Sequence, residues 1–158
     1  MSDTNTRVSR RRFCAGACQA ASGATLATLF SACGGGSSSP TSPSGASALG
    51  VVAGRFANSR VQVTVAGSAL AGVGGAVLVE STAGVFLLAR TSESAFSAVE
   101  AVCTHEGCTI TGADGATYVC PCHGSRYSRS GQVQAGPAKA SLRQYATTVA
   151  DGVVTIAL

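Results

Sequence analysis

Two short segments carry most of the side chains that could do chemistry. Residues 103–108 read C-T-H-E-G-C, and residues 120–125 read C-P-C-H-G-S. Each segment offers one cysteine and one histidine, spaced C-x-H in the first and C-x-x-H in the second. A thiolate and an imidazole from each of two loops give four ligands for one metal site: Cys103, His105, Cys120 and His123. In a two-iron cluster, both cysteines bind one iron and both histidines bind the other.

Two other interpretations use the same residues. Two cysteines and two histidines at these spacings could hold structural zinc, or the cysteines could form a disulfide staple beside incidental histidines. Zinc leaves Cys108 and Cys122 unexplained, whereas a cluster with a Cys108–Cys122 disulfide across the two loops uses all four cysteines. Both histidines of the chain lie inside these segments, which argues against an incidental role. Such a disulfide requires an oxidising compartment.

Short strands must position the two segments. Residues 61–65 alternate between apolar and polar side chains, and residues 76–80 and 85–89 are largely apolar runs separated by a turn. Strands at 96–102 and 117–119 lead directly into Cys103 and Cys120, and residues 142–149 and 153–157 form a closing hairpin. This spacing predicts an all-β fold of seven or eight short strands, a small antiparallel sandwich or barrel with two cluster-binding loops.

Residues 103–108 and 120–127 resemble the two cluster boxes of Rieske iron–sulfur proteins, most closely the branch of the cytochrome bc1 and b6f complexes, which has an additional disulfide. The resemblance spans residues 50–158. It implies one [2Fe–2S] cluster per chain, held by the four ligands above. It also implies that the hydroxyls of Ser125 and Tyr127 hydrogen-bond to a bridging sulfide and a ligand thiolate, which raises the reduction potential. Residues 136–138 resemble the proline loop that covers the cluster.

The function expected from this resemblance is one-electron transfer. Histidine ligation places the potential within about −150 to +300 mV, and the two hydroxyls favour the upper half of that range. No substrate pocket and no nucleophile with a base are recognisable, so we expect an electron-transfer subunit or carrier without a catalytic site of its own. A quinol-oxidising, bc1-like membrane complex or a cytochrome c-type acceptor is the expected partner. The alternatives are a stand-alone exported carrier, the small subunit of another periplasmic oxidoreductase such as a molybdenum enzyme, and a zinc-stabilised binding module.

Charge argues against a nucleic-acid partner. The chain has 11 Lys and Arg against 7 Asp and Glu, but four of its arginines lie in the first twelve residues. The remaining body is nearly neutral and lacks the basic stripe that a polyanion requires. Within the boxes, Glu106 and Arg126 are interpreted as solvent-facing and Thr104 as packing in its loop.

The N-terminal third predicts export. Residues 9–13 read S-R-R-R-F before a weakly apolar stretch, which resembles a twin-arginine (Tat) signal. Residues 30–33 resemble a lipobox, so we expect a leader over 1–33 that ends with lipidation of Cys33. Residues 34–49 are rich in Gly, Ser and Pro and form a flexible linker to the domain at 50–158. The expected location is outside the cytoplasm, held at a membrane by the lipid or by the N-terminal segment.

Overall fold

The computed structural model describes residues 45–158, so the predicted leader, Cys33 and most of the predicted linker lie outside the described residues. The described part contains fourteen short β-strands and one 3-10 turn, which confirms the all-β prediction but exceeds the seven or eight strands predicted. In chain order the strands are β1 Ser47–Ala48, β2 Gly50–Ala53, β3 Arg55–Ala57, β4 Arg60–Thr64, β5 Ala76–Ser81, β6 Gly84–Arg90, β7 Phe96–Glu100, β8 Gly112–Asp114, β9 Thr117–Val119, β10 Arg126–Ser128, β11 Val133–Ala135, β12 Gln144–Tyr145, β13 Thr147–Ala150 and β14 Val153–Ala157.

The strands form three sheets. The first has the order β1-β8-β9-β10-β11, the second β12-β7-β6-β5-β2, and the third β13-β14-β4-β3. The first C-x-H segment lies between β7 and β8, and the second lies between β9 and β10. Both segments therefore connect to strands of the first sheet, which brings them to the same region of the fold.

The second sheet lies between two apolar cores, so apolar side chains cover both of its faces. In β5, Leu78 packs in the core that contains Cys103, Cys120 and Tyr127. Its neighbour Val77 packs on the other side, in the core formed with strands of the third sheet. This alternation follows from the two-residue period of a strand, and it explains why β5 and β6 read as continuous apolar runs.

The structure differs from the sequence prediction at three places. Strand β2 pairs in parallel with β5, whereas an antiparallel arrangement was predicted; the long connection through β3 and β4 permits it. The predicted strand at 142–149 is divided, since β12 pairs with β7 in one sheet and β13 pairs with β14 in another. The folded body also begins before residue 50, because Ala46 is buried and β1 pairs with β8.

Two contacts lie at the division between β12 and β13. The Tyr145 ring packs edge-on against Phe86, with ring centroids 5.1 Å apart, which holds β12 on the second sheet. Two residues later, the Thr147 hydroxyl donates to the Phe96 carbonyl over 2.8 Å, at the point where the chain enters the third sheet. Within residues 45–158, no helix has the length and apolar character needed to cross a membrane.

Candidate metal centre

The first loop is a tight turn closed by backbone hydrogen bonds. The Cys103 amide donates to the Cys108 carbonyl over 2.8 Å, and the Gly107 amide donates back to the Cys103 carbonyl over 2.9 Å. Gly107 has a φ of 77°, a left-handed conformation that glycine adopts without strain. The turn therefore fixes the backbone on both sides of His105.

The second loop has the same construction. The Cys120 amide donates to the Ser125 carbonyl over 2.9 Å, and the Gly124 amide donates to the Cys120 carbonyl over 3.0 Å. Gly124 has a φ of 71°. Each of the two cysteines thus begins an equivalent turn that carries a histidine.

A disulfide joins the two turns. Cys108 and Cys122 are bonded, as predicted, with their Cα atoms 6.5 Å apart. Cys103 and Cys120 are free thiols and are buried, with 2% and 1% of their surface exposed. The staple connects the loops beside the two thiols that were predicted to be ligands.

The two histidines lie together at the surface of the same region. The ring centroids of His105 and His123 are 4.9 Å apart, with the rings nearly perpendicular at 86°. The Nδ1 atom of His105 is buried and has no hydrogen-bond partner among residues 45–158. A buried ring nitrogen without a partner is costly unless something binds it, so this atom is suited to a metal.

The Tyr127 hydroxyl contacts both Cys103 and Thr104 of the first loop. Its hydroxyl lies 3.2 Å from the Cys103 Sγ and 3.0 Å from the Thr104 Oγ1, and it accepts a hydrogen bond of 3.2 Å from the Thr104 amide. The ring is fully buried. The phenol has one proton, which it can donate to a thiolate at Cys103 or to the Thr104 Oγ1, since the Thr104 hydroxyl donates its own proton to the Ala140 carbonyl.

The electrostatics of the two thiols differ. Burial raises the pKa of Cys103, but hydrogen bonds, led by the one from Tyr127, outweigh it and place that pKa below its ordinary value. Burial raises the pKa of Cys120 above its ordinary value. Burial and the contact with Cys103 also raise the pKa of Tyr127, so the phenol keeps its proton and remains a donor.

The loop at 136–140 lies against both turns. The Ser125 hydroxyl oxygen accepts a hydrogen bond of 3.2 Å from the Ala138 amide, and Ser125 is fully buried. The Thr104 hydroxyl donates to the Ala140 carbonyl over 2.6 Å. Gly136 has a φ of 97°, and a Cβ there would lie 2.6 Å from the Ser125 Cα, so this close approach requires glycine.

Sequence reasoning missed the contacts of two residues. Thr104, interpreted as loop packing, connects Tyr127 to the loop at 136–140. Glu106 is solvent-facing as expected, with 60% of its side chain exposed, yet its carboxylate lies 3.9 Å from the His105 Nε2 and 3.5 Å from the His123 Nδ1. No pattern in the sequence could reveal either contact, because both depend on how the two loops meet.

The residues fit a two-iron cluster. They supply two buried thiols and two imidazoles on adjacent loops, and the orphaned Nδ1 of His105 needs a partner. The thiols lie toward the core and the imidazoles toward the surface. Two thiolates and two imidazoles are the donors of a [2Fe–2S] centre in which one iron has sulfur ligands and the other has nitrogen ligands. The four donors to hold it would be Cys103, His105, Cys120 and His123.

Comparison with known proteins identifies the family. A family model described as a Rieske [2Fe-2S] domain matches residues 57–146 of this chain. The chain belongs to this family. The predicted resemblance, fold class and [2Fe–2S] cofactor are thereby confirmed at the level of the Rieske domain.

Curated relatives are similar to part of this chain. The cytochrome b6-f complex iron-sulfur subunit of Chlorobaculum tepidum is 36% identical over 63 residues, which cover 39% of this chain and 35% of the relative. The subunit of the same description from Chlorobaculum thiosulfatiphilum is 46% identical over 52 residues, covering 32% of this chain and 29% of the relative. The matches span about a third of the length of these relatives.

Among solved structures, the cyanobacterial plasma membrane Rieske protein from Synechocystis PCC 6803 has 30% sequence identity and a TM-score of 0.48. That match covers 52% of this chain and 86% of the cyanobacterial protein.

Proposed function

We propose that the protein carries single electrons through one [2Fe–2S] cluster held by Cys103, His105, Cys120 and His123. The observation that carries the proposal is a pair of buried free thiols beside a pair of surface imidazoles, on two loops joined by a disulfide. Such a cluster, when bound, accepts and releases one electron.

The thiol side and the histidine side of the site differ in their exposure to solvent. The thiols lie in the core and exclude water from their side of the site, while the histidine side chains are 27% and 49% exposed. An electron would therefore enter or leave by the histidine side, where a partner can make contact. The Tyr127 hydroxyl lies 3.2 Å from the Cys103 Sγ, and a hydrogen bond that it donates to a thiolate there would favour the more negative, reduced state of the site.

Metal analysis and EPR test the cluster and its ligands. Purified, natively matured protein should contain iron and acid-labile sulfide and give the Rieske EPR signal when reduced. His105→Ala and His123→Ala should each abolish that signal, whereas Lys139→Ala, an exposed substitution on the loop at 136–140, should retain it. Zinc without iron in the wild-type protein, or a normal signal in either histidine variant, would refute the proposal.

The proposed electron donor is the quinol-oxidising part of a membrane complex. The support is the similarity to iron-sulfur subunits of cytochrome b6-f complexes, which extends over 39% and 32% of this chain in the two matches. Affinity purification of the tagged protein from native membranes should retain b- and c-type cytochromes. Retention of a molybdopterin subunit, or purification as a free carrier, would support the alternatives instead.

We also propose that the protein works outside the cytoplasm, after Tat export and lipidation at Cys33. The Cys108–Cys122 disulfide supports an oxidising compartment, because such bonds rarely persist in the cytosol. Replacing Arg10 and Arg11 together with lysine should retain the protein in the cytoplasm. Cys33→Ala should remove a lipid-sized mass from the mature protein and release it from membranes; an unchanged mass would refute lipidation.

A further inference from the structure

Glu106 lies between the two histidine rings. One carboxylate oxygen is 3.9 Å from the His105 Nε2 and the other is 3.5 Å from the His123 Nδ1. No other carboxylate within residues 45–158 comes within 4 Å of either ring nitrogen. Its position is set by the first turn, in which it directly precedes the left-handed Gly107.

Within residues 45–158, no lysine or arginine forms an ion pair with Glu106. Among the described residues, the ion pairs of arginine involve Glu93 and Asp114, and none reaches Glu106. The carboxylate is 60% exposed, so water reduces its field without removing it. Each imidazole therefore has this carboxylate within 4 Å of a ring nitrogen.

A negative charge beside a redox centre opposes the addition of an electron. The reduced state of the site has one more negative charge than the oxidised state, and like charges repel most strongly in the reduced state. This effect has the opposite sign to the hydrogen bond from Tyr127, which favours the reduced state. The two residues act on different sides of the site, one at the thiols and one at the imidazoles.

We propose that Glu106 is a tuning residue that lowers the reduction potential of this centre through its charge, against the upward effect of Tyr127. This inference rests on the ligand set in the proposed function. It makes the potential of the centre depend on a surface side chain that a docked partner can cover or pair, so a cationic group of a partner at Glu106 would raise the potential.

The test is a charge series at one exposed position. Glu106→Gln keeps the size and removes the charge, and Glu106→Lys reverses it. At one pH and one ionic strength, EPR-monitored redox titration of the intact holoprotein should give a higher midpoint potential for the Gln variant than for wild type, and the highest for the Lys variant. Equal potentials in all three, or a downward shift in the Gln variant, would overturn the inference.

Asp151→Asn provides the matched control. It removes the same charge at the Asp151-Gly152 turn between β13 and β14, in a different sheet from the site, and asparagine tolerates the φ of 51° found there. Its midpoint potential should equal that of wild type. A shift as large as that of Glu106→Gln would mean that net charge, and not the placement of Glu106, is responsible.

The two proposals fail in different ways. Iron and sulfide content and the reduced EPR signal are recorded for every variant before titration. Wild-type protein without a cluster would refute the proposed function, whereas intact clusters with unchanged potentials would refute only the role of Glu106. If the Lys variant does not assemble a cluster, the difference in midpoint potential between wild type and the Gln variant tests the role of Glu106.

Discussion

Removing the hydroxyl of Tyr127 should lower the reduction potential and leave the cluster in place. Tyr127→Phe keeps a fully buried ring and its packing, and deletes only the oxygen that lies 3.2 Å from the Cys103 Sγ. With the proposed ligand set, the hydroxyl would donate to a thiolate whose negative charge increases on reduction. The hydrogen bond is therefore stronger in the reduced state, and its loss penalises that state.

The magnitude follows from the strength of one charge-assisted hydrogen bond. Such a bond contributes about 1.5–3 kcal/mol, of which we assign roughly 1 kcal/mol to the difference between the oxidised and reduced states. For a one-electron couple, about 1.4 kcal/mol corresponds to 59 mV, so the expected decrease is roughly 40 mV. The Thr104 amide also loses its acceptor in this variant, which should reduce the stability of the loop by about 1 kcal/mol.

The assay is a redox titration followed by EPR or circular dichroism, with Tyr118→Phe as the matched control. Tyr118 is equally buried and is the cross-strand partner of Tyr127 in β9 and β10. Its hydroxyl has no hydrogen-bond partner among residues 45–158. Deleting it should leave the potential unchanged and should not lower the stability. An unchanged potential in Tyr127→Phe, or an equal shift in Tyr118→Phe, would refute the reasoning.

Three further predictions concern the loops that hold the site. Thr104→Val, which deletes the hydroxyl that donates to the Ala140 carbonyl over 2.6 Å, should lower the free energy of unfolding by about 1 kcal/mol in denaturant titrations. Gly136→Ala should cost about 2 kcal/mol or more, measured in the same way, because the new Cβ meets the Ser125 Cα at 2.6 Å and the backbone has a φ of 97°. Cys108→Ser should lower stability by about 3 kcal/mol, since the disulfide closes a loop with a sequence separation of 14.

Each of these three stability predictions has its own control. The control for Gly136→Ala is Gly115→Ala, because Gly115 has a φ of 54° but no atom within 4 Å of a new Cβ. Gly115→Ala should therefore lower the free energy of unfolding by only about 1 kcal/mol. An equal loss of stability in Gly115→Ala and Gly136→Ala would contradict the contact argument. Wild-type protein under strong reductant should unfold at the same denaturant concentration as Cys108→Ser. Thr104→Val would contradict its prediction if it unfolded like wild type, whereas Thr104→Ser should retain most of the stability.

Much of the fold could be predicted because strand patterns are local. The alternation at 61–65 became β4, and the apolar runs at 76–80 and 85–89 became the β5–β6 hairpin. The parallel pairing of β2 could not be predicted, because it depends on where a long connection returns to the sheet. The strand at Ser47–Ala48 was missed for a related reason: two small residues have no period, and their pairing with β8 is a long-range contact.

The sequence by itself supplied the prediction of the chemistry, because the candidate ligands lie in two short local segments. These segments resemble the cluster boxes of Rieske proteins, and that resemblance implied the donors and the cofactor, while the second pair of cysteines indicated the disulfide. Only the tertiary structure decided which other groups act on those donors. The Thr104 hydroxyl meets a carbonyl 36 residues away, and the Glu106 carboxylate meets His123 of the other loop. Such contacts depend on how separate loops pack, and local sequence does not encode that arrangement.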